Sequence, residues 1–276
     1  MKTEVIGKME NQGMIAAVLI VGLVVGLGVG YMLPGLMTAP PEEPTDLLEV
    51  IQDRGYMVVG TSSGFYPFEM VNTTTDELYG FDIDLAEYVA TELGVTIQWQ
   101  DMDFGALVGA CAAGTIDMIA AATFITPERN EQLLPSVWYL RANMVIVVKN
   151  DSVLTVSSYD DLDGLDVGVQ TGTAEDFELL DHNDGGGTID IQEYPYLDQM
   201  FLDLNNGLLD AVYVDEPVLG QYDQIYDIKI VYTVLAPPMA FYIAYDNPDF
   251  FEAVNNAMAK AFETGYIDEL ILEYFT

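Results

Sequence analysis

Residues 115–129, TIDMIAAATFITPER, form the stretch from which the rest of the chain is best interpreted. Met118 to Ala122 is a short, uninterrupted apolar run, which is typical of a strand buried on both faces. A helix start is predicted next, because Thr126 can cap it and Pro127 suits its first turn. Arg129 follows, one of only 8 basic residues against 45 acidic ones. At this position an Arg can hold a carboxylate or form an ordinary surface ion pair, and the spacing leaves both open.

Composition limits the class of protein. A chain of 276 residues, 51% of them hydrophobic, can form one large domain or two lobes with an ample core. The formal net charge is −37, and all of it lies beyond residue 40, because Lys2 and Lys8 balance Glu4 and Glu10. Such a surface repels nucleic acid and anionic lipid, so nucleic-acid binding is excluded. It fits a protein working outside the cell or in high salt, or one that binds many cations weakly, and composition does not choose between these.

The chain has a single cysteine, Cys111, and a single histidine, His182. An intramolecular disulfide and a zinc site built from several His or Cys are therefore excluded. Cys111 shares an apolar helical stripe with Phe104 and Leu107, so we expect a buried thiol rather than a nucleophile. We predict no cofactor and no metal.

One segment partly resembles a calcium-binding EF loop. In residues 182–193 a glycine, Gly187, and a glutamate, Glu193, fall at loop positions six and twelve. His182 and Gly186 stand where the loop expects carboxylates. We therefore favour a Gly-rich turn that enters a strand over a calcium site.

The N-terminal region contains a long apolar run. Residues 14–33 are nearly free of polar side chains, and as a helix they would span about 30 Å, the thickness of a bilayer core. We predict an N-terminal transmembrane helix, with residues 1–33 as an uncleaved membrane anchor. A cleaved signal segment is the alternative. Residues 34–45, rich in Pro and Glu, are predicted to form a stiff linker.

From Asp46 onward, helix and strand patterns alternate. Strand, helix, strand, helix, strand is predicted between Tyr56 and Ala122, and a similar succession follows from Met144 to Val214. This α/β pattern predicts mostly parallel sheets with helices on their faces. Two similar units in one chain indicate two lobes, and the cleft between lobes is the expected ligand site.

Six short motifs occur in order along this part of the chain. They are GT with FYPF (60–68), GFDIDLA (80–86), ITPER (125–129), VGVQTGT (167–173), LDAV with Asp215 (209–215) and GYID (265–268). In this order they resemble the extracellular solute-binding proteins for polar amino acids that feed ABC importers. The resemblance covers residues 46–276. It implies a two-lobed periplasmic-binding-protein-like fold of type II, with 46–140 plus 237–276 as lobe 1 and 141–236 as lobe 2.

The resemblance also implies the residues of the site. Arg129 would hold the α-carboxylate of an amino acid as a bidentate pair, helped by amides near Ala122, Thr123 and Thr173. Asp215 would hold the α-ammonium, and aromatic rings would flank the side chain. The implied ligand-binding set, with no catalytic member, is Ser62, Phe65, Phe104, Ala122, Thr123, Phe124, Arg129, Thr171, Thr173 and Asp215.

Some positions depart from the family pattern. Ser62 stands where binders of basic amino acids commonly place an Asp. Ala121, Ala122 and Phe124 stand where hydroxyl side chains are common. These departures predict a neutral amino acid as the ligand, of the apolar or aromatic kind.

The predicted function is therefore a substrate-binding protein and not an enzyme. It would capture a free amino acid and deliver it to the permease of an ABC importer. It would sit at the cell surface, anchored in the cytoplasmic membrane through residues 14–33 with its binding domain outside. Two alternatives remain: a ligand-sensing ectodomain, and a cyclohexadienyl-dehydratase-like enzyme on the same fold, with Glu69 or Asp103 as the acid.

Overall fold

The structure is a computed structural model that describes residues 46–276. The predicted anchor, residues 14–33, and the predicted linker, residues 34–45, lie outside the described residues. Within 46–276, no helix combines the length and the apolar character needed to cross a membrane.

The described chain alternates helices and strands, as predicted. Its helices are α1 (Leu47–Arg54), α2 (Phe81–Leu93), α3 (Phe104–Ala112), α4 (Pro127–Asn130), α5 (Ala174–Asp184), α6 (Leu197–Asn206), α7 (Leu219–Tyr222), α8 (Pro248–Thr264) and α9 (Tyr266–Phe275). Its strands are β1 (Tyr56–Thr61), β2 (Met70–Asn72), β3 (Glu77–Tyr79), β4 (Thr96–Asp101), β5 (Met118–Ile119), β6 (Leu133–Pro135), β7 (Leu140–Lys149), β8 (Asp166–Gln170), β9 (Asp190–Tyr194), β10 (Ala211–Asp215), β11 (Ile228–Met239) and β12 (Tyr242–Ala244).

Two five-stranded sheets form the centres of two lobes. The order is β4-β1-β5-β12-β6 in the first lobe and β11-β7-β10-β8-β9 in the second. In the first sheet β1 pairs in parallel with β4 and β5, and in the second β8 pairs in parallel with β10 and β9. Strand β12 is antiparallel to both of its neighbours, and so is β7. The prediction of two α/β lobes is confirmed.

Both sheets are mixed rather than mostly parallel, because one strand in each runs against the other four. A parallel neighbour needs a long crossover, usually a helix, to bring the chain back to the same end of the sheet. Strands β7 and β12 instead enter their sheets directly from the other lobe. They therefore need no such crossover. The hydrophobic pattern within each strand does not indicate its direction.

The two lobes are joined by long paired strands. Strands β7 and β11 pair from Leu140 opposite Met239 to Lys149 opposite Ile228. At the first-lobe end, the Tyr139 N–H donates to the Met239 carbonyl at 3.0 Å. The chain passes from one lobe to the other along this strand pair. It therefore links the carboxyl ends of the strands in one lobe to those in the other.

The stretch at residues 115–129 follows the prediction in part. Strand β5 pairs only over Met118 and Ile119, although burial of the apolar run continues to Ala122. The strand is shorter than predicted because the backbone leaves the sheet and reaches a φ of 45° at Ala122. The helix start is confirmed, since the Thr126 hydroxyl accepts a hydrogen bond from the Arg129 N–H at 3.3 Å.

Two further predictions can be compared with the fold. Cys111 is fully buried on α3, and burial raises the pKa of its thiol to about 12, so the thiol is inert as expected. Residues 182–184 end α5, and residues 185–189 form the turn that leads into β9. In this turn the carboxylate of Asp163 accepts the Thr188 N–H at 2.7 Å and lies 3.1 Å from the His182 ring.

Candidate ligand-binding site

A cavity lies where the two lobes face each other, with about 340 Å³ of space that opens to solvent. It sits at the carboxyl ends of β5, β8 and β10, the edge at which α/β sheets bind ligands. The residues that line it are Phe65, Phe104, Ala121, Ala122, Phe124 and Arg129 from the first lobe, and Gln170, Thr173, Ala174, Glu175, Tyr213, Val214 and Asp215 from the second.

Arg129 is the only basic residue in the lining, and it is 3% exposed. Its Nη1 donates to the Phe124 carbonyl at 2.7 Å, and its Nη2 donates across the cleft to the Gly172 carbonyl at 3.1 Å. Its Nε has no partner. The ion pairs found within residues 46–276 involve other cations, so Arg129 forms no ion pair with a carboxylate of this part of the chain. Burial lowers the pKa of its guanidinium. The surface ion-pair interpretation is therefore wrong.

A buried carboxylate supports the backbone beside Arg129. The Oδ2 atom of Asp82 accepts hydrogen bonds from the Ala122 N–H and the Tyr139 hydroxyl, both at 2.7 Å. Burial raises the pKa of Asp82 to about 7, against the opposing effect of these two donors. Because Asp82 already occupies the Ala122 N–H, this amide is not free to bind a ligand carboxylate. Ala122 therefore lines the wall of the cavity, but its amide does not take the carboxylate-binding role that the resemblance implies.

Two acidic side chains from the second lobe lie together in the cavity. Asp215 ends β10 and Glu175 lies in the first turn of α5, and each is 3% exposed. Burial, and then the adjoining Glu175 carboxyl, raise the pKa of Asp215 well above its usual range. Burial also raises the pKa of Glu175. The Oδ1 atom of Asp215 has no partner. An approaching cation would therefore lower both pKa values and favour the ionised form of the pair.

Aromatic rings form the walls between the cationic and acidic groups. Phe65, Phe104 and Phe124 line the cavity as predicted, and the Phe104 ring lies 5.3 Å from the Arg129 guanidinium carbon. Tyr213 lies on the opposite side, where its hydroxyl donates to Glu178 at 2.7 Å and so points away from any ligand. Apolar walls of this kind strengthen the electrostatic interactions inside the cavity.

The backbones of the two lobes meet beside Phe104. A Cβ atom built on Gly172, whose φ is 77°, would lie 3.0 Å from the Gly105 Cα. One built on Gly105 would lie 3.3 Å from the Thr171 carbonyl oxygen. Glycine is thus favoured twice at this contact, at Gly172 for its positive φ and at Gly105 because a Cβ atom there would be tightly packed. Thr171 belongs to this contact and does not line the cavity.

Two other residues of the implied set lie apart from the main cavity. Thr123 is buried with its hydroxyl donating to the Ala121 carbonyl at 3.1 Å, so it supports the wall from behind. Ser62 lines a neighbouring cavity instead. Thr173 does line the main cavity, where its side chain caps α5 by accepting the Asp176 N–H.

A search for relatives identifies the family. Residues 57–276 match the bacterial extracellular solute-binding proteins, family 3. The chain belongs to this family. The match covers the two-lobed part of the chain from residue 57 to its end, in agreement with the six ordered motifs.

Individual relatives of this solute-binding protein have names that describe ligands. It is 29% identical over 221 residues to a probable histidine-binding protein of Campylobacter jejuni subsp. jejuni, covering 78% of this chain and 83% of the relative. Its fold is similar to that of a mutant of ArgBP from T. maritima, with a TM-score of 0.77 and 32% identity over 83% of this chain and 98% of that one. It is also similar to the substrate binding protein of an amino acid ABC transporter, with a TM-score of 0.72 and 34% identity over 80% and 99%.

Sequence reasoning missed two polar residues of this solute-binding protein. Glu175 is absent from the implied ligand-binding set, although it lies two residues after the VGVQTGT motif, in the acidic first turn that Thr173 caps. Its position next to this motif was the feature of the sequence that could have identified it. Gln170 ends β8 inside the same motif and lines both the main and the neighbouring cavity. Its place in the cleft depends on how the lobes meet.

Proposed function

We propose that the protein captures a free α-amino acid between its lobes outside the cell and delivers it to the permease of an ABC importer. The observation that carries this proposal is the pairing of charges in one cavity. A buried guanidinium without a carboxylate partner, Arg129, shares the cavity with the carboxyls of Asp215 and Glu175.

These charges match an amino-acid zwitterion. Arg129 can hold the α-carboxylate with two donors if Nη2 exchanges the Gly172 carbonyl for a ligand oxygen and Nε takes the other. Asp215 presents an unpartnered oxygen to the α-ammonium. A ligand so held contacts both lobes, because Arg129 belongs to the first lobe and Asp215 to the second. Binding would therefore favour the closed arrangement of the lobes.

The N-terminal segment completes the proposal. We propose that residues 14–33 anchor the protein in the cytoplasmic membrane, with 34–45 as a linker and the binding domain at the cell surface. The lobe boundaries we propose are 46–140 plus 237–276 and 141–236. The extracellular character of the family supports this location.

A dehydratase-like enzyme has less support than a binding protein. Of the two acids considered for that chemistry, Glu69 is buried and lines neither the main cavity nor its neighbour. Asp103 is exposed and accepts a hydrogen bond from the Tyr196 hydroxyl. Neither is placed to transfer a proton to a ligand in the main cavity.

Isothermal titration calorimetry of the full chain against the common amino acids, in high and low salt, tests the proposal. We expect at least one α-amino acid to bind, and its N-acetyl and methyl-ester derivatives to bind much more weakly, since each lacks one charge of the zwitterion. Absence of binding to every α-amino acid under both conditions would contradict the proposed function.

Ligand binding is expected to depend on pH. The α-ammonium needs an ionised Asp215, whereas burial, and then the Glu175 carboxyl, favour the protonated form of Asp215 in the ligand-free protein by raising its pKa. Affinity should therefore rise with pH from the pKa of Asp215 in the complex up to its raised pKa in the ligand-free protein, by at most about tenfold per pH unit for one proton. Calorimetry in buffers of different ionisation enthalpy should show about one proton released per ligand inside this window.

The variant Glu175→Gln is the matched test of this linkage. It keeps the size of the side chain and leaves Asp215 buried, but it removes the neighbouring carboxyl, which after burial is the next largest cause of the raised pKa of Asp215. The number of protons released should fall, and the pH profile should flatten. Equal proton release by wild type and variant would show that Glu175 is not part of the titrating pair.

A further inference from the structure

Tyrosine hydroxyls act as donors to carboxylates at several places in this chain. Only 8 of its 276 residues are Lys or Arg, whereas 17 are Tyr. A hydroxyl that donates to an ionised carboxylate makes a short, charge-assisted hydrogen bond. Such bonds join Tyr139 to Asp82, Tyr159 and Tyr213 to Glu178, Tyr194 to Asp203, Tyr196 to Asp103, Tyr222 to Asp198 and Tyr274 to Asp84. A neutral donor of this kind can hold a carboxylate where the chain offers no basic residue.

One of these bonds joins the two lobes. Tyr196 directly precedes α6 in the second lobe, and Asp103 directly precedes α3 in the first. The Tyr196 hydroxyl donates to the Asp103 carboxylate across the cleft. In each of the other pairs found within residues 46–276, both partners belong to the same lobe. The bond with Asp103 raises the pKa of Tyr196, so the hydroxyl keeps its proton through the neutral range.

This bond lies at the outer edge of the cleft. Tyr196 is 49% exposed and lines the neighbouring cavity, so it stands where that cavity opens to solvent. Asp103 is exposed and directly precedes Phe104, which lines the main cavity. Neither Tyr196 nor Asp103 lines the main cavity itself. The bond can therefore form and break without contact to an amino acid held by Arg129 and Asp215.

Two further contacts beside this bond hold the lobes together. The Nη2 atom of Arg129 donates to the Gly172 carbonyl, and the backbone of Gly105 lies against that of Gly172. An amino acid that replaces the Gly172 carbonyl on Arg129 would break the first of these contacts. The bond at the outer edge would remain, because both of its partners lie outside the main cavity.

We propose that Tyr196 and Asp103 form a latch, a hydrogen bond that stabilises the closed arrangement of the lobes whether or not an amino acid is bound. Opening separates the two residues and returns both groups to water, so the bond acts only when the lobes are closed. The net contribution of one such bond makes closure about threefold to tenfold more favourable. A ligand that prefers the closed arrangement then binds more tightly by up to the same factor, because a larger fraction of the protein is already closed.

Distances between spin labels on the two lobes of the ligand-free full chain test the latch. Ala106 and Gln199 are exposed in the first turns of α3 and α6, so Ala106→Cys and Gln199→Cys place one label on each lobe. Cys111 is buried and stays unlabelled. Pulsed electron paramagnetic resonance then gives the fractions of short and long distances. In Tyr196→Phe, which removes only the donor hydroxyl, we expect the ratio of closed to open protein to fall about threefold to tenfold.

A double-mutant cycle shows whether the two residues act on each other. The side chain of Asp103 makes no capping hydrogen bond to α3, so Asp103→Ala removes the acceptor without removing a helix cap. Asp103→Ala should lower the closed fraction as Tyr196→Phe does, and the double variant should show no further loss. Tyr274→Phe is the matched control, because the Tyr274 hydroxyl donates to Asp84 at 2.6 Å within the first lobe. It should leave the distances of the wild type unchanged.

Two results would overturn the latch. The first is a ligand-free wild type whose distances match those of Tyr196→Phe. The second is a pair of single effects that add up in the double variant, because each residue would then act independently of the other.

Calorimetry of the same variants separates the latch from the proposed function. Any common amino acid that binds the wild type should bind Tyr196→Phe more weakly, by up to about tenfold, and should bind Tyr274→Phe normally. If no amino acid binds the wild type, the proposed function fails. The distances measured without ligand still decide in that case whether the latch exists.

Discussion

Arg129→Ala is expected to abolish amino-acid binding. The variant leaves the ligand α-carboxylate in a buried, aromatic-walled cavity that has no other basic residue. Removing one partner of a buried charge pair costs about 3–5 kcal/mol, which corresponds to roughly two to four orders of magnitude in Kd. Calorimetry with the ligand that binds the wild type most tightly measures the loss.

This experiment needs one control for the folding of the variant and another for the loss of an arginine outside the cavity. The side chain of Arg129 also donates to the carbonyls of Phe124 and Gly172, so the ligand-free variant should be checked by its melting temperature. Arg141→Ala is the matched control, because it removes an exposed guanidinium that lies over the Trp138 ring on the strand linking the lobes. We expect Arg141→Ala to bind normally. Undiminished binding by Arg129→Ala would disprove the carboxylate role.

Asp215→Asn is expected to cause the second largest loss. The substitution keeps the shape of the side chain but removes the charge that the α-ammonium needs. Truncating one partner of a buried, hydrogen-bonded charge pair costs roughly 2–5 kcal/mol, or about one and a half to three and a half orders of magnitude in Kd. The loss should be measured at a pH above the raised pKa of Asp215, so that the wild-type carboxyl is ionised.

The opposite end of the same strand offers a control for Asp215. Asp210 immediately precedes β10, is exposed, and accepts the Asp166 N–H at 3.0 Å, remote from the cavity. Asp210→Asn removes the same charge without touching the site, and its affinity should match that of the wild type. If Asp215→Asn also binds like the wild type, Glu175 rather than Asp215 holds the α-ammonium, and Glu175→Gln would then show the loss.

Much of the site could be predicted from the motifs, but its hydrogen bonds could not. Arg129, Asp215 and the aromatic residues Phe65 and Phe104 lie in one cavity, as the resemblance implied. The amide of Ala122 was expected to bind the ligand and instead donates to Asp82. A motif identifies which side chains approach the ligand, whereas the partner of each N–H depends on contacts between segments that are distant in sequence.

The same distinction applies to the sheets. The alternation of strand and helix predicted two α/β lobes, because each element has its own hydrophobic period. The antiparallel direction of β7 and β12 was not predicted. Their direction depends on how the chain crosses between the lobes. No residue within the strands indicates that direction.

The sequence by itself determined the features that depend on near neighbours. These include the cap that Thr126 provides for α4 and the buried position of Cys111 on an apolar helix stripe. Only the tertiary structure decided which polar groups have partners. Arg129 is left without a carboxylate, and Asp215 is paired with Glu175, because folding brings segments from different strands and helices into one water-poor cavity. In such a cavity, pairing sets the charge of each group, so the tertiary structure determines what the stretch around Arg129 can bind.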